Sequence, residues 1–229
     1  PQSACSADSS PPGEPFVTHR LFAVTGGGIK CHGSGNEFIL FDAVAQDMSG
    51  VDLSALAIAA CDKQSGIGAD GILLLVKNAE GLYGMRMLNP DGSEAEMCGN
   101  GLRCFAKFVY DQGIVKKEDF TVQTLAGVMQ VHITAEDGVC QLVTANIGKP
   151  SFDRRDIPMV GEGICCKEKI QVPGGELTLS ACLMGVPHVV VFGRNFTDED
   201  VLKYGPPLEV SPLFPRKANI NFANILDDH

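Results

Sequence analysis

The chain has 229 residues, 45% of them hydrophobic, with a formal net charge of −10 at pH 7. Such a length and apolar content can bury a core and form two small domains. The acidic balance argues against nucleic acid as a partner, since neutralising phosphates takes clustered Lys and Arg, and no apolar run nears the roughly 18 residues of a membrane span.

Residues 1–28 open with PQSACSADSSPPGEPFVTH, rich in Ser, Pro and Ala without periodicity, and are expected to form a disordered leader. The leader lacks an initiator Met and carries Asp8 and Glu14 with no Arg before Arg20, unlike the Arg-rich, acid-poor transit peptides. An extension of any kind still inclines the reading to a plastid over a cytoplasm. Lys30-Cys31-His32-Gly33-Ser34-Gly35-Asn36-Glu37-Phe38 then reads as a glycine-rich turn into a buried strand at Ile39-Leu40-Phe41. Leu53, Leu56, Ala57 and Ala60 recur at helical spacing within Val51 to Cys61. Ser65 to Gly71 is a second glycine loop before a strand from Ile72 to Val76; it has neither GxGxxG nor a Walker lysine, and so is no phosphate cradle.

Tyr83 to Leu88 is a further strand, and Asn89-Pro90-Asp91-Gly92-Ser93 is a cluster of turn formers that must be a loop. Beyond it Leu102, Phe105, Ala106 and Val109 make one apolar stripe of a helix that Gly113 stops. Strands follow at Phe120 to Thr124, Val128 to Thr134 and Val139 to Ile147, separated by turns at Ala126-Gly127 and Glu136-Asp137-Gly138. Strands around one central helix imply an α+β domain over residues 29–150. Residues 148–163, polar and broken by Pro and Gly, read as a connection. The second domain, 151–229, holds strands at Lys169 to Val172, Glu176 to Leu183 and His188 to Phe192, a hairpin turn at Pro173-Gly174-Gly175, and a short helix from Asp198 to Tyr204.

Cys98-Gly99-Asn100-Gly101 falls at or just before the first turn of the central helix. The first N–H groups of a helix lack internal partners and sit at the positive end of its dipole. A substrate carboxylate could dock on the N–H groups of Gly99 and Asn100, with glycine permitting close approach. A thiol in that field, Cys98, is favoured as its nucleophilic, basic thiolate. Carboxylate binding beside such a thiol suggests acid/base chemistry next to a carboxylate. The other eight of the nine cysteines form no CxxC pair and read mostly as core filler in a reducing compartment. Cys31-His32 and Cys165-Cys166 lack zinc-site spacing, so no metal is expected.

The run from Asn89 to Ala106, NPDGSEAEMCGNGLRCFA, closely resembles the first active-site segment of the diaminopimelate epimerases. Proline racemases and the phenazine-biosynthesis isomerases carry a histidine where this chain has Asn100. Further segments are similar too. His32-Gly33-Ser34-Gly35-Asn36-Glu37-Phe38 resembles the family's His-Gly-x-Gly-Asn-Asp-Phe, and Met184-Gly185-Val186-Pro187-His188 its Met-Gly-Asn-Pro-His, with Val186 in place of an asparagine that contacts substrate. Phe214 to Phe222 resembles its Phe-Pro-x-x-x-Asn-x-x-Phe.

The resemblance covers nearly all of residues 29–225. It implies an α+β fold of two similar halves, each a curled, mostly antiparallel sheet around a central helix, with the active site in the cleft between them and the second half incomplete. It implies a cofactor-independent isomerase of lysine biosynthesis that interconverts LL- and meso-diaminopimelate, and a homodimer. Cys98 would be the acid/base thiol, Gly99 and Asn100 would bind the α-carboxylate, Asn36, Asn89 and Asn219 would fix the substrate, and His188 would assist. The family's Glu-Arg pair and its second Cys-Gly-Thr-Gly helix start have no counterpart before His229. Cys104 lies about 240° around the helix from Cys98 and cannot replace that second thiol. The expectation is a sequence that stops short of a natural C-terminus, with unpaired strand edges that lower its solubility. Two alternatives stay open: a racemase of another amino acid, suggested by Val186, and a non-catalytic member of the family lacking the second cysteine.

Overall fold

The computed structural model describes residues 27–172 and 175–226. The plastid reading and most of the disordered-leader expectation concern residues 1–26, outside the described residues, as are two of the three residues of the expected hairpin turn, Pro173 and Gly174. The chain divides into two compact units, one through Ile147 and one from Gly148.

The first unit begins with β1 (Ile29–Gly33) and β2 (Asn36–Asp42), then α1 (Leu53–Cys61), β3 (Ile72–Lys77), β4 (Tyr83–Leu88), the two-residue β5 (Glu94–Ala95) and α2 (Gly99–Asp111). It closes with β6 (Asp119–Thr124), β7 (Gly127–Glu136) and β8 (Val139–Asn146). One sheet runs β1-β2-β3-β4-β6-β7-β8, with β5 on β4. It is mixed: β2 and β3 are parallel, as are β4 and β6, and the remaining pairs are antiparallel.

The pattern of side chains explains this arrangement. Strands alternate faces with period two, so Phe38, Leu40, Leu73 and Leu75 reach one core, around Leu102, Phe105, Ala106 and Val109 of α2. Ile39, Phe41, Ile72 and Leu74 reach the opposite core, against Ala57, Ala60 and Cys61 of α1. Strands covered on both faces read as unbroken apolar runs rather than alternating ones, which is why Ile39 to Phe41 and Ile72 to Leu75 look alike in the sequence.

One local reading is corrected in this hairpin. The segment from Lys30 to Phe38 is not a turn before a strand but a hairpin, with Cys31 opposite Phe38 and only Ser34-Gly35 turning, at φ 48° and 85°. Two consecutive positive φ values match the right-handed twist of paired strands, and Gly35 supplies the second without strain. The alternation of Cys31 and Gly33 inward was too short to signal β1.

At its other end α2 stops where Gly113 turns left-handed, at φ 68°, with its N–H donated to Tyr110 O at 2.9 Å. Lys107 is buried on the flank of α2; it pairs with Asp111 at 2.8 Å and donates to Cys140 O at 2.6 Å, while Asp111 accepts the Cys140 N–H at 2.8 Å. One ion pair thus satisfies both backbone groups of Cys140 and pins α2 to β8.

The second unit contains β9 (Glu168–Val172), β10 (Gly175–Met184), β11 (Val186–Gly193), α3 (Asp198–Glu209) and β12 (Asn219–Asn224), in the sheet order β12-β11-β10-β9. β12 is parallel to β11, so α3 is the crossover between them. Thr197 and Asp200 form a reciprocal capping box, and three acids in the first turn complement the dipole. The sequence predicts this helix to end near Tyr204, yet it runs on through Pro206 and Pro207 to Glu209. Leu208 is buried in the unit's core and holds that last turn in place. Residues 148–163 are likewise more than a connection: Ile157 and Met159 enter the same core, as does Cys165.

Candidate active site

Cys98 is the residue that caps α2. Its backbone is extended, at φ −141° and ψ 119°, its carbonyl accepts the Leu102 N–H at 2.8 Å, and its sulfur accepts the Gly101 N–H at 3.4 Å. The thiol therefore occupies the place usually taken by a Ser or Asp oxygen. The N–H groups of Gly99 and Asn100 are first-turn donors with no acceptor inside the helix.

The two glycines here differ physically. A Cβ on Gly101 would stand 3.1 Å from Leu73 Cδ2, so this glycine lets the helix start press against β3. A Cβ on Gly99 would meet Ile147 Cγ2 at an ordinary 3.7 Å, so packing does not require glycine there.

Around this helix start the polar side chains form one connected network. Asn100 Nδ2 donates to Asn36 Oδ1 at 2.6 Å, bringing together two of the residues singled out in the sequence, one at the start of β2 and one in the first turn of α2. Asn36 Nδ2 in turn donates to Asp70 Oδ2 at 3.5 Å. Arg103 donates to Asn100 Oδ1 and, at 3.1 Å, to Ser34 Oγ in the hairpin turn. Asp70 also accepts the Glu37 N–H at 3.0 Å and the Lys63 ammonium at 3.2 Å. The backbone N–H of Glu37, above all, and then the side chains of Lys63 and Asn36 hold the Asp70 carboxyl below its ordinary value, against partial burial.

Arg103 and Asp70 were not singled out by sequence reasoning. Arg103 opens the second turn of α2, where no local pattern marks it. Asp70 lay within the glycine loop from Ser65 to Gly71, where no motif marked it.

Asn89 is held differently. Its N–H donates to Ser93 O at 2.8 Å and its side-chain amide to Ser93 Oγ at 3.0 Å, so it organises its own turn and does not join the Asn36–Asn100 network. Asn219 and His188 belong to the second unit, where they face each other across β12 and β11. Asn219 Nδ2 donates to Pro187 O at 3.3 Å, and burial lowers the His188 pKa, favouring the neutral imidazole. The Met184 to His188 segment is the tip of the β10–β11 hairpin, turned by Gly185 at φ 74°. Val186, Pro187, Arg216, Lys217 and Asn219 line a cavity of about 540 Å³ in that unit.

Four of the other thiols are packed into the cores. Burial pushes Cys61, Cys140 and Cys165 up, the last to about 11, and a hydrogen bond with Cys31 together with burial raises Cys104 strongly. These are packed thiols with a suppressed thiolate. No disulfide links the eight described cysteines, and among the described residues no group of three or more His, Cys, Asp or Glu is arranged to hold a metal. No described helix is long and apolar enough to cross a membrane.

Residues 28–152 match the family model described as diaminopimelate epimerase. The chain is 41% identical over 198 residues to the diaminopimelate epimerase of Pelotomaculum thermopropionicum, spanning 86% of this chain and 71% of that one. It is 42% identical over 200 residues to that of Caldanaerobacter subterraneus, spanning 87% and 72%. Among solved structures, a probable proline racemase from Agrobacterium radiobacter K84 matches with a TM-score of 0.59 at 18% identity, over 88% of this chain and 67% of that one. A phenazine biosynthesis protein of the PhzF family from Bacillus anthracis matches with a TM-score of 0.53 at 19% identity, over 85% and 63%. At such identities the structural matches show a shared fold.

Proposed function

The chain belongs to the diaminopimelate epimerase family, and on that premise we propose that it is an isomerase of lysine biosynthesis interconverting LL- and meso-diaminopimelate by proton transfer at the α-carbon. The observation that carries the site assignment is the position of Cys98, its sulfur capping α2 beside the open N–H groups of Gly99 and Asn100. In this reading those two N–H groups hold the α-carboxylate at the positive end of the helix. The Cys98 thiolate removes the α-proton, or its thiol returns one, and the charge that develops on the carboxylate is stabilised by donors already aimed at it. Asn36, Asn89 and Asn219 fix the substrate and His188 assists; none of these steps calls on a metal or an organic cofactor.

Inversion needs a second acid on the opposite face of the α-carbon. Among the described residues Cys98 is the one thiol that caps a helix, the other two caps being Asp52 and Thr197. Residues 29–150 and 151–229 are read as two halves of one epimerase architecture, and a homodimer is part of the same reading, to be checked by sedimentation.

The test is exchange of the α-proton of LL-diaminopimelate in deuterium oxide, with meso formation followed by chiral chromatography, for the chain and for Cys98→Ala. Exchange that requires Cys98 supports the assignment, whereas exchange undiminished in the variant refutes it. A second reading, racemisation of another amino acid, is favoured by Val186, since valine cannot hydrogen-bond a distal polar group. Racemisation of several L-amino acids with no turnover of diaminopimelate would select it.

A further inference from the structure

The amides of Asn36 and Asn100 lie in a chain of hydrogen bonds closed at each end by a group that can play only one part. Arg103 has donors and no acceptor, whereas an ionised Asp70 has acceptors and no donor. Because Arg103 takes Asn100 Oδ1, Asn100 must turn its Nδ2 to Asn36. Because Asn36 thereby presents Oδ1, it must turn its own Nδ2 to Asp70. Rotating either amide, or both, by half a turn would set donor against donor or acceptor against acceptor. The ends are themselves anchored, Arg103 on Ser34 of the hairpin turn and Asp70 on the Glu37 N–H and Lys63.

We propose that Arg103 and Asp70 are positioning residues that lock the Asn36 and Asn100 amides with their oxygens turned into the network, so that only N–H groups remain for a substrate carboxylate. The proposal rests on the reading of Asn36 and Asn100 as substrate contacts. An amide nitrogen carries two N–H groups, and the network uses one from each. Together with the Gly99 and Asn100 backbone donors they offer a set of N–H groups suited to a carboxylate.

The experiment compares the wild-type chain with Arg103→Met, Arg103→Lys, Asp70→Asn and the double variant Arg103→Met/Asp70→Asn. Asp70→Asn preserves shape while giving the end group both roles, which guards against loss of fold, and Arg103→Lys restores a donor-only end. The first readout needs no ligand: the side-chain amide resonances of Asn36 and Asn100 in nitrogen-15 spectra. They should exchange slowly in wild type and Arg103→Lys and rapidly in the double variant. The second is the dissociation constant for LL-diaminopimelate by calorimetry. Each single loss should weaken it roughly tenfold, the double variant by more than the product of the two, and Arg103→Lys should recover most of the affinity. A folded double variant that keeps slow amide exchange, or binds as tightly as wild type, overturns the proposal. A wild-type chain with locked amides that binds no diaminopimelate refutes the functional reading and leaves the lock standing.

Discussion

The two glycines that flank Asn100 allow packing to be separated from ligand binding. Gly101→Ala places a methyl 3.1 Å from Leu73 Cδ2, where Leu73 is fully buried in the α2 core and cannot retreat far. Overpacking of this kind costs about 1–3 kcal/mol, offset by up to about 1 kcal/mol from the better helix propensity of alanine. The net loss, up to about 2 kcal/mol, should lower the melting temperature by as much as roughly 8 °C for a chain of this size. Gly99→Ala makes its nearest contacts at 3.7 and 3.8 Å, with Ile147 and Arg103, and neither residue needs a left-handed backbone. It should melt at or slightly above the wild-type temperature. Binding should follow the opposite order. A methyl at 99 crowds the approach to the first-turn N–H groups, and losing one hydrogen bond to a charged carboxylate costs about 1.5–3 kcal/mol, roughly a tenfold to hundredfold loss of affinity. Thermal melts with calorimetric titration of LL-diaminopimelate measure both. If Gly99→Ala bound within twofold of wild type, the docking of a carboxylate on this helix start would be wrong.

Further outcomes follow from other features of the fold. Cys98→Ser keeps an oxygen cap on α2 but supplies a much weaker base, so it should melt near wild type while α-proton exchange falls by roughly a thousandfold; equal exchange in the serine variant would remove Cys98 from the chemistry. Lys107→Met strands Asp111 and the Cys140 carbonyl and should destabilise the first unit by about 2 kcal/mol or more in urea titrations. The Asp70 carboxyl is depressed in the folded state, so its contribution is fully present above the unfolded value of about 3.9 and is lost as pH falls through the lower folded value. The stability gap between wild type and Asp70→Asn should hold constant from neutral pH to about pH 5 and close below about pH 4, followed by circular dichroism. Thr197→Ala removes half of the α3 capping box and should cost about 1 kcal/mol.

What could be read from the sequence was set by range. The α2 stripe of Leu102, Phe105, Ala106 and Val109 is a local pattern, and it marks the helix correctly because helical faces repeat within four residues. Cys98 was legible for the same reason, since a helix start is a local feature. The hairpin before Asn36 was missed because β1 is five residues long and presents two small inward residues, Cys31 and Gly33, too few for an alternating signal. α3 was cut short because Pro206 and Pro207 are strong local stops, overridden by the burial of Leu208, a tertiary effect. Arg103 and Asp70 were invisible as partners, for they meet only through Asn100 and Asn36, and the pairing of residues 34 apart in the chain depends on how β2 and the glycine loop come together. The loop does so through backbone bonds, Asp70 N–H to Glu37 O and Ile39 N–H to Gly71 O, that no composition rule encodes.

The cap on α2 has a consequence beyond placement. A side-chain acceptor at a helix start is ordinarily a fixed fitting, but here the acceptor, the Cys98 sulfur, is also the atom proposed to exchange a proton with substrate. A thiolate accepts the Gly101 N–H more strongly than a thiol does, as charged acceptors do. Each proton that leaves the sulfur therefore tightens the first turn of α2, and each that arrives slackens it. In the proposed chemistry the helix end and the substrate compete for the same lone pairs, so turnover of the thiol should register in the backbone amide of Gly101 as a shift that follows its protonation.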